Sequence, residues 1–331
     1  MSVSPDQVSL SVSVALCTYN GQQFLREQLD SIQRQTRLPD ELVVCDDRSS
    51  DATQEIVEAF ARGASFPVRW HVNEVNLGST LNFERAIGLC QGDLVFLSDQ
   101  DDAWHPRKIE LMTREFEFAP EVGLVFSDAE VVDAGLHPLG YRLWDSMEFS
   151  RREQRLLTNG RALDVLLKHN VVTGAALAFR RNLCDEFLPL PSSWIHDGWI
   201  AIIVSMCAEV RVLSEPLLSY RQHGRNQVGG VKRNLQGQAA HAGTIGAAHY
   251  RQMAEQYAAV HEWVRAKGGG ASGQAHTQSL AGKIAHLLHR AGLPRAWPGR
   301  AWLVGWALVR GDYHRYSRGW RSAVKDFLRP A

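Results

Sequence analysis

Four times within the first hundred residues, a short apolar run leads into a polar cluster and then into apolar residues at helical spacing. Few architectures accept that order. Val12 to Cys17 precedes Thr18-Tyr19-Asn20-Gly21 and a helical pattern carrying Phe24, Leu25, Leu29 and Ile32. Leu42 to Cys45 precedes Asp46-Asp47-Arg48-Ser49-Ser50-Asp51 and a helix with Ile56, Val57 and Phe60. Val68 to Val72 precedes the turn Asn76-Leu77-Gly78 and a helix over Leu81 to Leu89, and Asp93 to Leu97 precedes Ser98-Asp99-Gln100-Asp101-Asp102. The alternation predicts an α/β fold, a mostly parallel sheet flanked by helices, with a ligand crevice outside the carboxyl ends of the strands. Every polar cluster falls at such an end. Further on, Lys108 to Phe118 reads as a helix, Val122 to Phe126 as a strand, Thr173 to Phe179 as a turn and strand, and Trp194 to about Cys207 as an apolar helix. Beyond Gly230 the chain is Ala-rich and helix-forming, broken by Lys267 to Gly273, which reads as a flexible linker. The boundary is placed there: residues 1–230 form the α/β domain and 231–331 a helical extension.

Charge separates the same two parts. The chain of 331 residues is formally neutral, yet Lys283 to Ala331 carries ten basic residues against Asp312 and Asp326, a net of +8 that leaves −8 on the remainder. An acidic body argues against nucleic acid as partner. Five dispersed cysteines, none in a Cys-x-x-Cys pair, read as buried thiols of a reducing compartment. Met1 to Asp6 opens no signal-peptide pattern and no apolar run approaches the roughly 18 residues of a spanning helix, so a cytoplasmic, non-integral protein is expected.

Three carboxylates after the apolar run Leu94 to Leu97 call for a cation. A hard ion such as Mg²⁺ or Mn²⁺ takes oxygen ligands and often shares them between one or two carboxylates and substrate phosphates. The usual dinucleotide and P-loop glycine patterns are missing after the early strands, so phosphate is held another way. Simpler readings stand beside these. Asp102 also reads as a cap for the helix after Pro106, Asp197 as a cap for its own helix, His223 as a local hydrogen-bonding residue, and Asn76 with Gly78 as a turn. Asp46 and Asp47 are adjacent and should point in different directions.

Taken together, these residues resemble the inverting nucleotide-sugar glycosyltransferases of family 2, with the GT-A fold, over about Ser11 to Gly229. The resemblance implies that Thr18, Tyr19 and Asn20 form the base-pocket loop, that Asp47 meets the nucleobase, and that Asn76, Gly78 and Asn82 lie beside the nucleotide and sugar. Asp99-Gln100-Asp101 occupies the place of the family's Asp-x-Asp motif, with Asp99 toward the ribose, Gln100 on the donor side and Asp101 on the metal, where His223 could add an imidazole. Thr173 and Gly174, with His196 and Trp199, resemble the acceptor side, and Asp197 stands where the family keeps its general base. Asp-Gln-Asp-Asp-Ala-Trp and Tyr220 to Asn226 are similar to bacterial rhamnosyltransferase-like members. The Gln-x-x-Arg-Trp motif of processive synthases is absent after Asp197.

The function this implies is metal-dependent transfer of a sugar, rhamnose from dTDP-rhamnose first, from a dTDP- or UDP-linked donor to a surface glycan (as in O-antigen) or a polyprenyl-diphosphate-linked acceptor. The alternatives are a nucleotidyltransferase making nucleotide sugars, against which the loop after the first strand lacks glycines and charge, and a silent nucleotide-sugar binding module. In the tail, Trp297, Trp302 and Trp306 interleave with Arg295, Arg300 and Arg310. That composition suits an interfacial helix on the inner face of the cytoplasmic membrane, or packing against the catalytic domain or a second subunit of a homo-oligomer.

Overall fold

In a computed structural model the chain is described over residues 9–224, 246–268 and 270–328. The early alternation becomes β1 (Val12–Thr18), α1 (Leu25–Gln33), β2 (Glu41–Asp46), α2 (Thr53–Ala61), β3 (Val68–Val72), α3 (Ser79–Leu89) and β4 (Leu94–Ser98). These strands pair in parallel in the order β3-β2-β1-β4. All positions of β1, β2 and β4 are buried. Val12, Val14 and Leu16 join a core with Leu25, Leu29 and Ile32 of α1 and with Val57 and Phe60 of α2. Ala15 and Cys17 point the opposite way, toward the face where α3 packs on β1 and β2. Coverage on both faces is why these strands read as continuous apolar runs instead of alternating ones.

The chain continues through β5 (Ala103–Trp104), α4 (Lys108–Phe118), β6 (Val122–Val132), β7 (Pro138–Arg142), α5 (Leu143–Ser146), α6 (Arg151–Thr158), α7 (Ala162–Leu166), β8 (Leu177–Arg180), α8 (Cys184–Phe187), α9 (His196–Cys207) and β9 (Glu209–Arg221). The full sheet runs β3-β2-β1-β4-β8-β6-β9-β5, with β7 on β6. Its second half is mixed: β8 is antiparallel to both β4 and β6, while β6 and β9 are parallel. The parallel half is therefore the part the alternation announces. β9 goes unannounced because Ser214-Glu215-Pro216 interrupts it where its pairing with β6 shifts register. The strand expected from Thr173 starts only at Leu177, since Gly174–Ala176 makes a short 3₁₀ turn.

The structure divides into two compact units, Met1–Ala162 with Val171–Val231, and Leu163–Asn170 with Lys232–Ala331. The boundary expected near Gly230, the start Met1 to Asp6, and Arg225 with Asn226 all lie outside the described residues. The second unit carries helices Ala247–Lys267, Gly270–Ala291, Trp297–Val309, Asp312–Tyr316 and Trp320–Phe327. Here one expectation is corrected. Instead of a flexible linker over 267–273, Gly268 ends the first helix in the left-handed region (φ 63°) and the next begins at Gly270, so the glycines serve a helix–helix turn.

Phe96 lies in the centre of β4 with no exposed surface, whereas Phe118 at the end of α4 is 78% exposed. Phe96→Ala should lower unfolding free energy by about 3–5 kcal/mol, from lost transfer energy plus the cavity left behind. Phe118→Ala should change it by less than about 0.5 kcal/mol. Urea denaturation of both variants measures the contrast, and equal effects would contradict the core assigned here.

Candidate functional site

β4 delivers Ser98 to the carboxyl edge of the sheet, and the next four residues are disposed in different directions. Asp102 is buried and accepts the backbone N–H of Arg221 (2.9 Å). Arg221, itself buried, donates Nε to the Asp101 carbonyl (2.6 Å), bonds the Ala134 carbonyl and the Glu27 carboxylate, and lies over the Phe24 ring (4.4 Å). Asp102 is thus no helix cap: α4 starts at Lys108, with Arg107 at the cap position and no side-chain cap bond. Burial, with the charges of Asp101 and Asp99, raises the Asp102 carboxyl well above its usual range. Beneath the cluster Lys108 is fully buried, its ammonium donating to the Ala175 carbonyl and standing 3.8 Å from the Trp104 ring centroid. Burial pushes Lys108 down to about 7, against the pull of Asp102 and Asp99. Asp99 is pushed up to about 7, first by burial and then by Asp101 and Asp197, with Lys108 opposing. Two buried cations, neither evident as such in the sequence, underlie the acidic loop.

Asp101 points the other way. Its Oδ2 is 2.7 Å from His223 Nε2, across 122 residues of sequence, and the imidazole packs on Phe24 (centroids 4.9 Å). Both side chains are partly exposed, at 19% and 15%. The donor set, one carboxylate and one imidazole beside a crowd of carboxylates, fits a divalent cation completed by substrate oxygens. Among the described residues no cluster of three or more His, Cys, Asp or Glu side chains suited to a metal occurs, so phosphates would have to complete the shell.

The loops that follow β1 to β4 are laced by side-chain to backbone bonds. Gln100 bridges Tyr19 in both directions, accepting from its N–H (2.8 Å) and donating to its carbonyl (3.0 Å). Gly21 allows this, because a Cβ there would sit 2.3 Å from Gln100 Oε1. Asn20, with φ 49°, accepts from the Ser50 N–H and donates its own N–H to Ser49 Oγ. The Tyr19 side chain is exposed. Thr18 is buried and donates to Asp46, which also accepts from Ser49. Asp47 turns elsewhere, accepting from the N–H groups of Leu77 (2.7 Å) and Gly78 (2.8 Å) and from Asn73 Nδ2 (2.7 Å). Asn76 is exposed and donates to the Asp47 carbonyl. Asn82 is buried, donating to the Cys45 carbonyl and accepting from Asn73. Thr18 and Asn82 are therefore buried and bonded within the protein.

On the opposite side Asp197 occupies the first turn of α9, where Ile195 is the cap residue, and its Oδ2 accepts the Gly174 N–H (3.0 Å). His196 is buried, stacked on Phe83 (4.1 Å), with neither ring nitrogen hydrogen-bonded; a Cβ on Gly174 would fall 2.5 Å from its Nε2. Trp199 is a correction: it is buried and donates Nε1 to the Phe187 carbonyl (2.8 Å), whereas Trp194, 5.9 Å from it and partly exposed, takes its place at the surface. Thr173 is partly buried against the Met147 sulfur.

Comparison with known proteins adds the following. A family model described as glycosyl transferase family 2 matches residues 13–188. Uncharacterized proteins of Mycobacterium bovis and Mycobacterium tuberculosis are 24% identical over 223 residues, covering 64% of this chain and 59% of theirs. The match thus spans about three fifths of those relatives' length. Among solved structures, S. aureus TarS superposes with a TM-score of 0.59 at 15% identity, over 91% of this chain and 49% of that one. A form of TarS spanning 1–349, in complex with UDP-GlcNAc, gives 0.57 at 15%, over 96% of this chain and 91% of that one. The mannosyltransferase PcManGT of Pyrobaculum calidifontis, in complex with GDP-Man and Mn²⁺, gives 0.54 at 18%, over 98% and 87%. These likenesses establish the GT-A type of α/β fold.

His196 gives a pH signature. Burial lowers it to about 3, so the folded chain keeps it neutral while the unfolded chain protonates it below about 6.5. Its contribution is fully present above pH 6.5 and is lost progressively as pH falls toward 3. Between pH 7 and 4.5, wild type should lose about 2–3 kcal/mol more than His196→Leu in urea unfolding. Parallel losses in the two proteins would show that the histidine is protonated where it lies.

Proposed function

Since the chain belongs to glycosyl transferase family 2, we propose that it moves a sugar from a nucleotide donor to an acceptor hydroxyl with inversion at the anomeric carbon. The observation carrying this reading is the convergence of Asp101 with His223 on one side and of Asp197 with the Gly174 turn on the other, with Asp99 feeling both Asp101 and Asp197. On the donor side Tyr19, Asn20, Asp47, Asn76 and Gly78 receive the nucleoside, and Asp99 with Gln100 the ribose. Asp101 and His223 would hold Mg²⁺ or Mn²⁺. Bound there, the cation offsets the charge that grows on the departing diphosphate. The Mn²⁺ and GDP-Man in the mannosyltransferase complex, and UDP-GlcNAc in TarS, support a nucleotide-sugar donor with a divalent ion.

Asp197 takes the proton of the acceptor hydroxyl as its oxygen bonds the anomeric carbon, and the bond to the diphosphate breaks on the opposite face, with the electron pair leaving on the phosphate oxygen. The Gly174 N–H fixes the carboxylate for that task. Rhamnose from dTDP-rhamnose is the first donor to test, and a growing surface glycan or a polyprenyl-diphosphate-linked acceptor the recipient. The enzyme then works as a peripheral protein at the inner face of the cytoplasmic membrane. Family membership favours transfer over nucleotidyl chemistry, and the placement of Asp197 favours it over a silent binding module.

Asp197→Asn should keep donor affinity within about twofold while transfer falls by about 10²- to 10⁴-fold. Asp101→Ala should abolish metal-dependent donor binding in calorimetric titrations with a panel of nucleotide sugars and Mn²⁺. Transfer near the wild-type rate in either variant would remove that residue from its role, and a panel without a binder would overturn the donor assignment.

A further inference from the structure

Helix Trp297–Val309 of the second unit has an inner face that is fully used. Val304 and Ala307 pack with Tyr313 and Ala323, and buried Arg300 anchors the helix start by donating to the carbonyls of Pro294 and Arg295. Its outer face is apolar and uncovered. Trp302, Trp306 and Val309, at i, i+4 and i+7, are all exposed, Val309 to 89% and Trp302 to 68%. Trp320, Val324 and Leu328 repeat the pattern on helix Trp320–Phe327, and Trp297 meets Phe327 (5.9 Å) to join the two helices. Arginines fringe the indoles: Arg310 lies over Trp306 (4.3 Å), also facing Asp312 (3.5 Å), and Arg321 lies near Trp320 (5.8 Å). Arg295, Arg315, Arg318 and Lys325 are exposed as well. The other acid of this basic tail, Asp326, is buried against Arg290, Tyr250 and Tyr313, so it shields none of the fringe.

We propose that the second unit docks on an anionic lipid surface through the Trp302, Trp306 and Val309 face and the Trp320, Val324 and Leu328 row, with the arginine fringe on the headgroups. Indoles favour the boundary between headgroups and acyl chains, and each cation beside an anionic leaflet adds attraction. The helix is roughly 20 Å long, short of the ~30 Å hydrocarbon core, so it lies in the interface. A second copy of this chain fits the face poorly, because a two-fold contact would set the arginine fringe against its own image. Docking deepens the membrane-side reading above, yet it is measured without transfer.

The test uses the full chain. Wild type should co-sediment with vesicles containing phosphatidylglycerol, weakly with pure phosphatidylcholine, and less as salt rises. Both Trp302→Ser/Trp306→Ser/Val309→Ser and Arg310→Glu/Arg321→Glu should lose at least tenfold in partitioning while keeping the wild-type urea-unfolding midpoint. Brominated lipid should quench wild-type tryptophan emission. Equal pelleting of wild type and variants, absence of wild-type binding, or indifference to lipid charge would overturn the proposal. So would a dimer seen by sedimentation velocity that either variant dissociates, which would give the face to a second copy.

Discussion

Carboxylates placed together at the mouth of a sheet repel one another, and here burial and that repulsion raise the Asp99 and Asp102 carboxyls, opposed by the Lys108 charge and, at Asp102, by the Arg221 backbone N–H. Lys108 lies beneath Asp99 and Asp102, and Arg221 binds the Asp101 carbonyl while its own N–H meets Asp102. Lys108 also reaches the other side of the cluster: its ammonium donates to the Ala175 carbonyl, and the adjacent Gly174 N–H donates to Asp197.

The donor-side loops follow a comparable logic. Loops after parallel strands carry backbone groups that no ladder satisfies. Here side chains take them up: Gln100 for Tyr19, Asn20 for Ser50, Asp47 for Leu77 and Gly78. A rim bonded in this way keeps its shape before a ligand arrives, which lowers the ordering cost of binding. The Asp47 carboxylate accepts from the Leu77 and Gly78 backbone N–H groups and from Asn73 Nδ2, which together fix its orientation.

The parallel half of the sheet was legible because double-sided burial writes itself as continuous apolar runs, as in β1 and β4. β5 was too short for any periodicity, β9 was broken by Pro216, and the glycines after Lys267 signal helix ends as readily as linkers. In the site, Asp101 and His223 were legible through their motifs, and the structure brings them into contact. Asp102 reads in the sequence as a cap for the following helix, whereas the loop turns its carboxylate inward to the Arg221 N–H, because adjacent side chains are sent in different directions. Lys108 could not be foreseen, since a lysine opening a helix ordinarily faces water. Its burial rests on tertiary partners, the Ala175 carbonyl and the Trp104 ring.

If Asp101 and His223 hold a divalent cation, as proposed, the small protein share of its shell has a thermodynamic consequence. A hard dication held by so few protein donors keeps most of its water, and its affinity for the protein alone is modest. If the diphosphate supplies the remaining oxygens, cation and donor each raise the affinity for the other by the same factor. The protein then holds the cation most tightly while a nucleotide diphosphate is present, and release of the spent nucleotide loosens it. The contact between Asp101 and His223 keeps the two side chains together at the mouth of the sheet.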